Sequence, residues 1–92
     1  MPKNIVFIGR KPVMAYVLAV MTAFKNNPEQ VIIRARGRSI STAVDVAEVT
    51  KNSYLNDLTN RVLLGTEKLE GDDGASRNVS TIEIILRKSQ VA

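Results

Sequence analysis

The chain has 92 residues, a formal net charge of +4 and an apolar content of 45%, so a single small domain spanning 1–92 is expected, with enough apolar side chains for a core. Cysteine and histidine are both absent, which excludes disulfides, thiolate zinc sites, cysteine nucleophiles and the usual general base. The longest apolar run, Val13 to Phe24, falls short of the roughly 20 residues of a membrane span.

Asn4 to Ile8 reads as a short buried strand ended by Gly9. Arg10-Lys11-Pro12 before an apolar run imitates the start of a signal peptide. The strand-like residues ahead of it, and the lack of an Ala-x-Ala site after Phe24, favour an intracellular protein. Pro12 suits the first turn of a helix, where its missing N–H costs nothing. Val13 to Lys25 is apolar on most sides, which predicts a largely buried helix stopped by Asn26-Asn27-Pro28. Val31 to Arg36 is the second strand.

Ser39 or Ser41 is expected to cap the next helix. Ile40, Ala43, Val44 and Ala47 recur at i, i+3, i+4 and i+7, one face of a helix ending near Asn52. Asp45, Glu48 and Lys51 fall on its wet side, with Glu48 and Lys51 spaced for a weak pair. A third strand should span about Thr59 to Leu69 and a fourth Val79 to Lys88, around the turn cluster Glu70-Gly71-Asp72-Asp73-Gly74. Ile82, Ile84 and Leu86 alternate with Thr81, Glu83, Ile85 and Arg87, as in a half-buried antiparallel strand. The predicted fold class is α+β, in the order β-α-β-α-β-β: a two-layer sandwich of a four-stranded mixed sheet, two helices on one face and a long terminal hairpin.

Charge is unevenly placed along this order. Up to Arg38 there are seven bases against Glu29 alone, while the remainder holds six bases and eight acids. Positive charge concentrated in two βα units favours a polyanionic partner. The densest part is Arg34-Ala-Arg36-Gly-Arg38-Ser39, where a strand gives way to a helix. Strand alternation puts Arg34 and Arg36 on one face, and Gly37 allows a sharp turn. Helix N-termini offer amide N–H groups and a positive dipole end, which suit phosphate. Gly9-Arg10-Lys11-Pro12 follows the first strand in the same way. If the two strands run parallel, both loops lie at one sheet edge, where open α/β sheets bind ligands.

Each feature also has a plainer explanation. Gly9 and Gly37 are ordinary turn residues when taken alone, Arg10 and Lys11 fit a solvated loop, and Arg34 could pair with an acid. Five bases in two adjacent loops with no nearby acid are harder to explain that way. Tyr16 should pack within its helix with the hydroxyl satisfied at the edge. Tyr54, a lone aromatic after a helix, fits either a lid on the core or an interface. No catalytic constellation emerges: Asp45 and Glu48 suit a solvated helix face, Asp72-Asp73 sits on a loop tip, and no P-loop lysine motif is present. Neither an enzyme nor a bound metal or cofactor is expected. A nucleotide site built from the two glycine loops is the reading from another class.

Asn4-Ile-Val-Phe-Ile-Gly-Arg-Lys-Pro-Val-Met-Ala-Tyr-Val17 resembles the opening of the Alba family, the small basic chromatin proteins of archaea. Arg34-Ala-Arg-Gly-Arg-Ser-Ile-Ser41, Ala43-Val-Asp45 and Asn78-Val-Ser-Thr-Ile-Glu-Ile84 are similar to its other signatures, in order and at family spacing. The resemblance implies a two-fold homodimer that binds double-stranded DNA, and RNA, with little sequence preference. It also implies a cytoplasmic protein associated with the chromosome, which it coats and compacts. It assigns nucleic-acid contacts to Arg10, Lys11, Arg36 and Arg38, contacts between dimers to Tyr54 with Leu55, and a minor-groove role to the hairpin arm, where Arg77 is the best-placed base. Arg34 is the weakest of these candidates.

The chain departs from the family pattern in three respects. Many relatives carry lysine where Arg10 stands, so control by acetylation would have to act at Lys11. Glu70, Asp72 and Asp73 at the hairpin tip repel phosphate. Thr42 and Ser53 stand at positions that are often basic in relatives. A protein dedicated to RNA, of the RNase P or translation-associated type, is the alternative on the same scaffold.

Overall fold

A computed structural model describes residues 4–88, so Lys3, counted above, lies outside the described residues. Seven elements follow in order: β1 (Ile5–Phe7), α1 (Val13–Asn26), β2 (Gln30–Arg36), α2 (Ser39–Val49), a single π-helical turn (Thr50–Tyr54), β3 (Leu58–Glu70) and β4 (Ser76–Lys88). The four strands form one mixed sheet in the order β1-β2-β4-β3. β1 runs parallel to β2, while β4 is antiparallel to both β2 and β3. The α+β class and the β-α-β-α-β-β order are as predicted.

Alternation along β2 and β4 decides which face is covered. Val31, Ile33 and Ala35 are buried, and they stand opposite Leu86, Ile84 and Ile82, which are buried too. These six side chains meet Tyr16, Val17, Val20, Ala23 and Phe24 of α1 and Ala43, Val46 and Ala47 of α2 in one core. The other face, with Arg34, Arg36, Glu83 and Ile85, receives no helix among the described residues.

α1 is less buried than its composition predicts. Only one stripe, from Val13 through Tyr16, Val17 and Val20 to Phe24, turns inward, whereas Met14 and Leu18 project outward, Leu18 with 62% of its surface exposed. A helix in a two-layer fold has sheet on one side only, so one stripe is all it can bury. Pro12 is the residue just outside the helix, and its carbonyl accepts the first helical bond from Ala15 N–H (3.0 Å).

α2 differs from expectation in its start, its face and its end. Neither Ser39 nor Ser41 caps it; Arg38 holds the capping position in a helical conformation, with no side-chain bond to the first turn. Gly37 does this work through its backbone. At φ +56° it reverses the chain, donates its N–H to Ser80 O (2.9 Å), and accepts from Ile40 N–H (3.2 Å). The inward face keeps Ile40, Ala43 and Ala47 of the expected stripe and adds Val46, with Val44 turned out, because the helix is rotated so that buried Thr50 continues the stripe. Regular winding stops at Val49 and widens into the π turn, closed by Leu55 N–H to Thr50 O at 2.8 Å. Glu48 accepts from Asn52 Nδ2 (3.2 Å) and is not paired with Lys51.

The hairpin pairs continuously from Leu58↔Lys88 to Glu70↔Ser76, so β4 begins three residues before the predicted Val79. Residues 76–78 carry no apolar alternation, and only backbone pairing with 68–70 reveals them as strand. Beyond the sheet the two strands form a projecting ribbon, which gives the molecule extents of 53 × 26 × 23 Å.

Candidate nucleic-acid interface

Because β1 and β2 are parallel neighbours, the loops that follow them leave the sheet at the same end, and each leads into a helix. Arg10, Lys11, Arg36 and Arg38 are therefore brought to one end of the molecule, all exposed. Neither α1 nor α2 has an acid in its first turn. The positive dipole ends of both helices thus add to the side-chain charges without local compensation.

The first loop is held from below by one side chain. Tyr16, 8% exposed, points its hydroxyl into the turn, where the oxygen accepts from both Gly9 N–H (2.8 Å) and Lys11 N–H (3.0 Å). A Cβ at position 9 would lie 3.3 Å from that oxygen, so the absence of a side chain lets the turn sit this close. The expectation that backbone amides in these loops are open to phosphate needs correcting at three positions. Gly9 and Lys11 donate to Tyr16, and Gly37 donates to Ser80 O. At these three positions the loops present side-chain charge over amides that are already bonded internally.

The expectation of no nearby acid is also corrected. Arg34 Nε lies 3.3 Å from Glu83 Oε2, its direct neighbour across β2 and β4. Arg36 Nη1 lies 3.0 Å from Glu67 Oε1 on the hairpin, with 58% and 47% of the two side chains exposed. The acids are 49 and 31 residues away in the chain, so local sequence hides them. Arg34 and Arg36 do share a face, the one without helices. Arg10, Lys11 and Arg38 make no ion pair among the described residues.

The remaining candidates lie apart from this cluster. Arg77 is exposed on β4 opposite Leu69, on the strand face of Thr81 and about 14 Å further along the ribbon by strand rise. Tyr54 is 48% exposed, which rules out the core lid, while Leu55 beside it packs against the core. On the uncovered face, Phe7 and Leu63 border an open groove of about 710 Å³ that also contains both ion pairs. Among the described residues no three potential metal ligands cluster, and no helix is long and apolar enough to cross a membrane.

Sequence reasoning allowed Arg34 an acidic partner, as Glu83 proves to be, but missed Glu67 as the partner of Arg36. Glu83 was within reach, since its alternation with Ile82 and Ile84 puts it on the face of Arg34. Glu67 required the hairpin register.

Comparison with known proteins places this geometry. The family model for Alba matches residues 4–62. The chain is 52% identical over 87 residues to the DNA/RNA-binding protein Alba of Thermoplasma volcanium, covering 94% of this chain and 97% of the relative. It is 49% identical over 89 residues to DNA/RNA-binding protein Alba 1 of Archaeoglobus fulgidus, covering 96% and 99%. The solved structure of Alba from Thermoplasma volcanium superposes with a TM-score of 0.85 at 52% identity, over 92% of this chain and 100% of that one. ALBA1 from Trypanosoma brucei shares the fold, with a TM-score of 0.73 at 23% identity, over 98% and 73% of the two chains. With its signature loops inside the matched span and its fold shared with a relative of such identity, the chain belongs to the Alba family.

Proposed function

We propose that this chain binds double-stranded DNA, and RNA, through phosphates and with little sequence specificity, acting as a dimeric protein that coats and compacts chromosomal DNA in the cytoplasm. The observation that carries this reading is the basic end of the sheet. There Arg10, Lys11 and Arg38 stand without a paired acid among the described residues, above two helix N-termini that lack acids. The names of the 47–52% identical relatives, DNA/RNA-binding protein Alba, support the same class of ligand.

Guanidinium and ammonium groups on solvated loops suit phosphate oxygens, which position a protein without reading bases. Arg36 joins the surface by exchanging its carboxylate partner. Arg34, half-buried against Glu83, holds the sheet together more than it binds. Lys11, exposed at the centre of the loop, is the position where acetylation would remove a charge. A two-fold dimer would double the basic loops on one surface. Tyr54, with Leu55 as its support, mediates contacts between dimers.

Salt titration tests the reading. If a dimer neutralises roughly 6–8 phosphates, log K against log salt falls with a slope of about −5 to −7. A flat response between low and moderate salt would contradict it. A competition at equal salt between duplex DNA and a folded RNA separates a general binder from one dedicated to RNA.

A further inference from the structure

The Arg36–Glu67 pair joins the end of β2 to the base of the projecting hairpin, on the surface where nucleic acid is proposed to lie. Its geometry is good, at 3.0 Å, yet both side chains are about half exposed. Exposed ion pairs of this kind are weak and screened by salt. A duplex, by contrast, presents a dense row of phosphates, each able to take a guanidinium. Glu67 and a phosphate therefore compete for one group. Position matters for this competition. Arg36 follows Arg34 on the same face, but Arg34 is half-buried and locked to its direct cross-strand neighbour Glu83. Glu67 is not opposite Arg36; Thr81 is, and Thr81 pairs with Gly65, two residues before Glu67 along the hairpin. The contact thus spans two strands with two flexible side chains, and it can open without disturbing the sheet.

We infer that Glu67 is a built-in competitor for Arg36: the carboxylate holds the guanidinium in the unbound protein and gives it up to a nucleic-acid phosphate, which lowers affinity for any duplex. The inference rests on the phosphate-binding reading above. It makes Glu67 a tuning residue that touches no ligand itself, and makes the hairpin base part of the binding equilibrium.

Two variants and a control test it by duplex binding at fixed low salt. Glu67→Gln removes the competitor and should tighten binding by roughly two- to five-fold, the range set by exposed ion pairs. The second variant combines Thr66→Glu with Glu67→Thr, which keeps the net charge but moves the carboxylate to the opposite face of the strand. It should tighten binding to a similar extent. The control, Glu70→Gln, removes a hairpin charge that has no ion-pair partner among the described residues, and should change affinity by less than about two-fold. The inference is overturned if the charge-conserving transposition binds like the wild type, which would mean general repulsion. It is equally overturned if either Glu67 variant binds more weakly, since Glu67 would then be aiming Arg36 at its phosphate. Wild-type protein in the same titration keeps the two readings apart: if it fails to bind, the proposed function fails, whatever Glu67 does.

Discussion

A phenolic oxygen that accepts two backbone N–H groups is an economical way to shape a loop. Tyr16 does this for Gly9 and Lys11, and in doing so fixes where the side chains of Arg10 and Lys11 start. In Tyr16→Phe the ring still fills its place in the core, but two amides lose their acceptor. Both loop residues are exposed, so water replaces it in part, and the stability cost should be about 1 kcal/mol, at the low end for lost hydrogen bonds. The informative effect is on binding. If the hydroxyl acts by placing the two bases, Tyr16→Phe weakens duplex binding on its own but adds nothing once Arg10 and Lys11 are both alanine, because coupled residues are non-additive. Additive losses in that double-mutant cycle would mean that Tyr16 serves stability alone.

At the scale of elements, the hairpin divides into two functional lengths. Near Leu58 it belongs to the core, and at Glu67 it reaches the basic loops. Past that point it is a two-stranded ribbon closed by Gly71–Ala75, where Gly71 N–H donates to Ala75 O (2.7 Å) and Asp73 Oδ1 accepts from Ala75 N–H (3.0 Å). Such a ribbon has no hydrophobic face packed on the core and rests on its backbone pairing. Arg77 is its base nearest the tip on β4, but Glu70, Asp72 and Asp73 surround that end with opposite charge. Arg77→Ala should therefore cost less than about two-fold in duplex affinity, against roughly 30- to 60-fold for Arg10→Ala at 0.1 M salt, as expected when a dimer loses two phosphate contacts. Equal losses, measured side by side, would show that the arm binds as strongly as the loops.

Across the whole molecule, exposed apolar side chains stand on both faces of the two-layer fold, while the loop bases Arg10, Lys11 and Arg38 gather at one end. The basic loops occupy one end of the sheet, Phe7 and Leu63 lie on its uncovered face, and Leu18, Val44 and Tyr54 are exposed on the helical side. A small monomer that leaves this much apolar surface in water is poised for association. Tyr54 stands on the π turn, where the widened winding carries it outward while Leu55 returns to the core. Tyr54→Ala should leave folding stability within about 0.5 kcal/mol, as for other exposed positions, and leave the proposed dimer intact. Cooperative assembly along DNA should be lost, read as binding isotherms that become non-cooperative. A monomeric variant would instead assign Tyr54 to the dimer contact.

The strand and helix order was legible in the sequence because each element carries its own period: Ile82, Ile84 and Leu86 at every second residue, and Tyr16, Val20 and Phe24 at helical spacing. The glycine–base loops were legible too, since their residues are contiguous. The capping of α2, the reach of β4 back to Ser76 and the exposed side of α1 were not, because each depends on a neighbour distant in the chain: Ser80 O for Gly37, residues 68–70 for 76–78, and a sheet on only one side of the helix.

The sequence by itself determined which residues are basic, which alternate, and that positive charge crowds two βα junctions. Tertiary structure alone decided which of those charges stand unpaired. Arg34 and Arg36 look alike in the chain, two residues apart. Pairing with Glu83 across the sheet and with Glu67 on the hairpin separates them from Arg10, Lys11 and Arg38. The physical reason is that a charge–charge interaction depends on distance in space, and antiparallel pairing brings together carboxylates and guanidiniums that lie tens of residues apart.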